Sequence, residues 1–235
     1  MNMYEAEERL GLTFGKFESD AVPISQMLAD TKKPESKGLG GEQVKYAKEK
    51  TFDDVVEIIE VNGYPTEANE HFEKANVDAL VLRIIFPIFV AFKRATGRYL
   101  FLRRDKEIFP MNPKTRRGNF QEFVCEDLIG IGDRKFIFLV KTTKSSIGEA
   151  KRECMLALKD MGDRNGGGFV YGFVASGEFW QVIRYDGSVF TQTRPIPVLF
   201  PAVEREKEMW LKESSVIVDC IHTALKSGGF ASVAE

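Results

Sequence analysis

Residues 120–161 read FQEFVCEDLIGIGDRKFIFLVKTTKSSIGEAKRECMLALKDM. From Glu122 to Ile129, aromatic and aliphatic residues are interspersed with acids, and residues 135–141 (KFIFLVK) are apolar almost without interruption up to a lysine. Both patterns predict strands. Between them, Ile131-Gly132-Asp133-Arg134 suits a two-residue hairpin turn in which glycine supplies the unusual backbone angles. Ser146 followed by Glu149 is a capping-box pattern, and Ile147, Ala150, Cys154, Leu158 and Met161 form an apolar stripe at helical spacing. An amphipathic helix over 146–161 is therefore expected across one face of the sheet. A further strand at 168–175 makes that helix a crossover connection, which predicts parallel pairing with the strand ending at Lys141.

With Gly132-Asp133 as the turn, Val124 lies opposite Lys141 and Glu126 opposite Leu139. Side chains alternate along a strand, so Glu122, Val124, Glu126, Leu139 and Lys141 share one face. A slip of one residue brings Asp127 there instead. Glu122, Glu126 and Asp127 are thus candidate ligands for a divalent cation such as Mg²⁺, which takes oxygen donors, keeps several waters and can hold a phosphate. Lys141 is then placed to stabilise the charge that grows on that phosphate. The plainer alternative is an exposed strand start facing a solvated lysine.

Outward from this core, strands are expected at 99–102, 179–184 and 188–193, with hairpin turns at Ser176-Gly177 and Asp186-Gly187. The run Asn165-Gly166-Gly167-Gly168 lacks the spacing of a phosphate-binding loop and reads as a helix stop. Upstream, FDDVVEIIEV from Phe52 and ANVDALVLRIIFPIFVAFKRATG from Ala75 predict helices, the second broken near Pro87. An amphipathic helix from about Val203 to Lys226 closes the chain. DTKKPESKGLGGEQ at 30–43 reads as a loop or flexible linker. The division expected is an acidic, partly flexible, partly helical region at 1–75 and a mixed α/β domain at 76–235, its sheet flanked by helices.

Of 235 residues, 43% are hydrophobic and 29% charged, enough for one sizeable soluble core. The net charge of −2 is unevenly spread. Residues 93–117 hold nine Lys or Arg against two acids, an excess of seven. Within it Arg103, Arg104, Lys114, Arg116 and Arg117 are candidate contacts to a nucleic-acid backbone; a solvated basic face is the alternative. Three widely spaced cysteines and two histidines give neither a disulfide framework nor a zinc pattern. The N-terminus lacks the basic and apolar regions of a signal peptide, so an intracellular chain, cytoplasmic or nuclear, is expected. The longest apolar stretch, 79–92, is too short to span a bilayer, so no membrane partner is expected.

The order of acid-bearing strand, tight turn, strand ending in Lys141 and capped helix resembles the core of the PD-(D/E)XK nuclease-like (restriction-endonuclease-like) superfamily. Its metal-dependent members hydrolyse phosphodiesters with acids and a lysine on two neighbouring strands. Glu126-Asp127 can be laid over the family's "PD", with Asp127 as the ligand. The acid expected two positions before Lys141 is Leu139 here, and the following helix can carry a migrated Glu, for which Glu153 is the similar position and Glu149 the second. FVYGFVASGEFWQVIRYDGSVFTQT at 169–193 is similar to an element in fungal and protist restriction-endonuclease-like proteins, including Crinkler-type effectors, through Tyr171, Gly172, Gly177, Trp180, Arg184, Asp186 and Gly187. The likeness spans about residues 78–195. It implies a Mg²⁺-dependent DNA endonuclease with Lys141, Glu126, Asp127 and Glu153 as catalytic residues, or a degenerate domain that still binds nucleic acid. The alternative is a non-catalytic module acting through a protein partner, which Leu139 favours. No nucleophile elbow, dinucleotide fingerprint or histidine dyad supports another enzyme class.

Overall fold

Strands that are apolar on both faces and helices that are apolar along one stripe can only bury themselves in layers. The computed structural model describes residues 2–29, 38–65, 69, 71–110, 119–144 and 146–229. In chain order these form α1 (Met3–Leu10), α2 (Phe14–Ser19), β1 (Ala21–Val22), α3 (Ile24–Ala29), α4 (Gly41–Asn62) and α5 (Lys74–Thr96). There follow β2 (Leu100–Ile108), β3 (Asn119–Leu128), β4 (Arg134–Thr142), α6 (Ile147–Asn165), β5 (Val170–Ala175), β6 (Phe179–Tyr185), β7 (Phe190–Thr193) and β8 (Ile196–Pro197). A 3₁₀ turn (Val203–Arg205), α7 (Lys207–Met209), a π-helical stretch (Trp210–Ser214) and α8 (Val216–Ser227) complete the described chain.

The strands form one mixed sheet in the order β1-β7-β6-β5-β4-β3-β2, with β8 beside β6. β3 is antiparallel to both β2 and β4, and β4 and β5 are parallel across the α6 crossover, as the hairpin and the capped helix predict. One face packs Phe123, Cys125, Phe138 and Phe173 against α4, α5 and α8 through Phe52, Ile84, Ile88 and Ile221. The other packs Val124, Leu139 and Val174 against α6 and α1 through Cys154, Leu158, Ala6 and Leu10. Helix α6 lies close to β5 because residue 172 is glycine: a Cβ there would collide with Cys154 Sγ and stand 2.9 Å from Leu158 Cδ1.

Four expectations change. Helix α5 runs unbroken through Pro87. The carbonyl that proline deprives of a partner belongs to Arg83, an exposed position where water can reach it. The helix is accordingly long and apolar enough to cross a membrane by length and composition alone, but here it is a core helix with Val81, Ile84, Ile85, Ile88 and Phe92 buried.

The stretch up to residue 75 is no separate unit: Ala6, Leu10 and Phe17 belong to one core cluster, and Met27, Phe52 and Val55 to the other. Ion pairs pin its start, Arg9 to Asp160 and Glu18 to Lys151 at 2.7 Å, and β1 adds to the sheet beside β7. The expected linker at 30–43 falls partly on 30–37, outside the described residues; α4 already begins at Gly41. The closing helix is interrupted, because Trp210 is anchored in the core by its indole N–H donating to Val198 O at 2.9 Å. Ser215 N then reaches back five residues to Trp210 O at 2.9 Å. At α6, Ser146 Oγ accepts from Glu149 N at 3.3 Å, but Ser146 N donates to Thr143 Oγ1, so only half of the capping box forms.

The acceptor that holds the start of the α4 layer against α8 is a histidine. His222 Nε2 accepts the Leu39 N–H at 3.1 Å. Burial, and then Lys226, push His222 below its ordinary 6.5, with Asp219 opposing. The unfolded chain therefore takes up this proton before the folded one, and the contribution is present above about pH 6.5 and lost as pH falls through the folded value. Chemical denaturation from pH 7.5 to pH 4.5 is expected to show a stability loss that His222→Gln flattens.

Candidate active site

The β3–β4 hairpin closes differently from the two-residue turn expected. Asp133 N donates to Gly130 O at 3.3 Å, so Ile131 and Gly132 are the central residues, with Gly132 at φ 79°. That is the position where a type II turn requires positive φ. The result pairs Val124 with Leu139 and Phe123 with Val140, shifting the register by two residues. A bulge follows between Cys125 and Glu126, where Ile137 and Phe138 both turn to the same core.

This register moves the acids. Glu122, rather than Val124, faces Lys141, with Lys141 Nζ 3.5 Å from Glu122 Oε1. Glu153, two turns into α6 at the edge of its buried stripe, reaches Lys141 Nζ at 2.7 Å. Glu126 stays on the α6 face but sits toward the turn opposite Phe136, fully buried among Lys106, Arg134 and Arg103 at 3.4, 3.6 and 3.8 Å. Asp127 lies on the opposite face and pairs with Arg98 at 2.7 Å, whose guanidinium also donates to Leu225 O. Glu126 and Asp127 therefore do not converge on Lys141. Glu149 turns to Arg152 at 3.5 Å.

Two residues of the cluster escaped the sequence reading. Lys74 Nζ stands 3.3 Å from both Asp78 Oδ1 and Glu122 Oε1, and Thr142 Oγ1 donates to Asp78 Oδ1 at 2.5 Å. Their signal was a Lys and an Asp at i, i+4 on the polar first turn of an otherwise apolar helix. Lys141 is mostly buried; burial weakens its hold on the proton, but the hydrogen bond it donates to Glu153 and the charge of Glu122 outweigh this and raise it above 10.5. It is a fixed cation, unsuited to act as a neutral base. Cys154, behind it, is pushed far up by burial and offers no thiolate.

Three carboxylates (Glu122, Asp78, Glu153) against two ammonium groups (Lys141, Lys74) leave one net negative charge. Glu122 Oε2 is buried with no hydrogen-bond partner, and Glu153 is 40% exposed. Among the described residues no group of three or more His, Cys, Asp or Glu gathers as a ready metal cage. Mg²⁺ does not require one: it is commonly held by one or two carboxylates, its waters and the substrate phosphate. Glu122 and Glu153 fit that donor set.

The basic candidates divide. Arg103 and Arg104 lie on β2, the last strand of the sheet, over the rings of Phe101 and Phe123 at 4.6 and 5.5 Å. Lys114, Arg116 and Arg117 lie outside the described residues. Lys106, Arg134 and Arg164, together with Glu107 and Asp133, line a cleft of about 420 Å³ that includes neither Arg103 nor Arg104. No family model, curated protein or solved structure matches this chain.

Since Asp127 serves the Arg98 pair across the sheet from Lys141, Asp127→Asn should act on stability and leave the Lys141 cluster intact. A loss of about 3–5 kcal/mol is expected in urea unfolding, the cost of stranding one partner of a buried pair.

Proposed function

We propose that this chain is a nuclease-like domain that binds nucleic acid and hydrolyses a phosphodiester with Mg²⁺, using Lys141, Glu122 and Glu153. One observation carries the reading: Glu153 from α6 reaches the lysine whose own strand carries buried Leu139 in place of an acid. The helix thus returns the second carboxylate that the strand has lost. The order of α5, three antiparallel strands, α6 and a parallel β5 supports the same reading, because it is the arrangement that the family resemblance implies.

In this reading Glu122 and Glu153 would hold Mg²⁺, which when bound would polarise the phosphate and ease ionisation of a water. Lys141, fixed in charge and place, faces the oxygen on which negative charge accumulates; such a preorganised cation acts most strongly where water is excluded. Glu153, the most exposed of the three, can leave Lys141 as the phosphate arrives. Lys74 and Thr142 keep Asp78 beside Glu122 and preserve the negative balance that draws a cation. Arg103 and Arg104 on the edge strand hold the backbone of the same nucleic acid. Leu139 favours the other reading, a cleavage-dead domain that serves a partner.

Incubation with single- and double-stranded oligonucleotides in Mg²⁺ or Mn²⁺ tests this. Cleavage is expected, with Lys141→Ala and Glu153→Gln each slowing it by roughly 10²-fold or more, the scale of losing one electrostatic stabiliser. Glu153→Gln should leave the melting temperature nearly unchanged. No cleavage of any substrate by the wild type would overturn the catalytic reading in favour of the partner-binding one. In a separate assay, Arg103→Glu with Arg104→Glu should weaken oligonucleotide binding and flatten its salt dependence, which on duplex DNA has a logarithmic slope of about −0.9 per phosphate contacted.

A further inference from the structure

β4 and β5 run parallel and end side by side at Thr142 and Ala175, and beyond their carboxyl ends lies a crevice of about 360 Å³. Crevices of this kind, outside the carboxyl ends of parallel strands, are recurrent ligand sites in open α/β sheets. Its walls are Phe72, Val77, Ile147 and Phe179, with Thr143, Lys144, Ser176 and Glu178 at the polar margin. Ile147 and Phe179 are large apolar side chains left 42% and 41% exposed on the wall.

The crevice is shaped by a glycine that the hairpin alone does not explain. Gly177 has no positive φ, so the turn does not demand it. A Cβ there would come within 2.7 Å of Pro65 Cβ and 3.4 Å of Phe72 Cε1. Glycine at 177 thus lets Pro65 and Phe72 close against the β5–β6 turn and form a wall. The crevice also adjoins the charged cluster at two points: Val77 precedes Asp78, and Thr143 follows Thr142. Lys141 and Thr143 sit two residues apart on β4's exit and so leave the strand toward the same side.

Resting on the phosphodiester reading above, we propose that this crevice takes an unpaired nucleobase of the strand whose phosphate lies at Lys141, so the domain acts on single-stranded or locally opened nucleic acid. An apolar crevice with an aromatic side chain on its wall fits a base face, and hydroxyl, ammonium and carboxylate groups at the margin fit its polar edge. Its position fits too: base and phosphate of one nucleotide are neighbours, as are crevice and cluster. A base stacked in its duplex cannot enter.

The test is equilibrium binding, in EDTA to prevent cleavage, of a mixed-sequence single strand, its blunt duplex and a series of single strands each carrying one abasic position. The single strand is expected to bind at least about tenfold more tightly than the duplex, with one abasic position costing about tenfold, the scale of one base–aromatic stack. Phe179→Ala should erase both differences and Phe179→Trp should keep them. Should Phe179→Ala not fold by circular dichroism, Ile147→Ala on the opposite wall is read in its place, with a several-fold loss confined to single strands. Equal affinity for single strand and duplex, or no effect of either wall substitution, overturns the crevice inference while leaving the phosphodiester reading standing. Absence of binding to every oligonucleotide at low salt overturns both.

Discussion

Everything at the candidate site depends on Val124 pairing with Leu139. Had the chain turned at Gly132-Asp133, Val124 would face Lys141, and the lysine would have no carboxylate opposite it on β3. Turning at Ile131-Gly132 moves β3 by two residues and sets Glu122 against Lys141. Because side chains repeat every second residue, a two-residue shift keeps the correct face toward α6 and changes only who meets whom. The bulge then absorbs Ile137 as one extra residue of β4, so that Phe136 stands opposite Glu126, while alternation along β3 keeps Glu126 on the α6 face and Asp127 on the other. A strand pair thus separates three acids that adjoin in sequence into three different environments.

Those environments follow from the cost of burying charge. Glu126 and Asp127 are both essentially out of water, and each can be tolerated only beside cations. Asp127 meets one guanidinium at hydrogen-bonding distance; Glu126 meets three cations more loosely, at 3.4–3.8 Å. The basic run that follows α5 therefore has two tasks, because Arg98, Arg103 and Lys106 neutralise buried acids while Arg104 lies over Phe123 on the edge strand. The cluster at Lys141 is different in kind. It carries an excess of negative charge, and it opens to solvent through Glu153.

The elements legible in the sequence were those dictated by local chemistry. The apolar run before Lys141, the serine cap, the α6 stripe and the glycine stop at Gly166 each act within a few residues, and together they force the parallel β4–β5 pair. What was not legible depends on distant partners. Pro87 breaks a helix in isolation, but α5 is gripped along its buried stripe by α4, α8 and the sheet, so the helix continues. The acidic composition of the first 75 residues says nothing of Glu18 meeting Lys151 or Met27 entering the main core. Lys141 and Glu153 each stood out as candidates, but not as partners of one another; Asp78 and Lys74 did not stand out, because a first-turn Lys and Asp four apart look like any solvated helix start.

The joining of site and crevice has a single physical origin. β4 and β5 end together because they are parallel, and they are parallel because α6 carries the chain back over the sheet. The same helix supplies Glu153 from its second turn and Ile147 from its first residue. Helix α5 supplies Asp78 and Val77 from adjacent positions, one to the charged cluster and one to the apolar wall. A sheet end bordered by two helix starts therefore presents charge and apolar surface side by side, held in register by the elements that also bury the core.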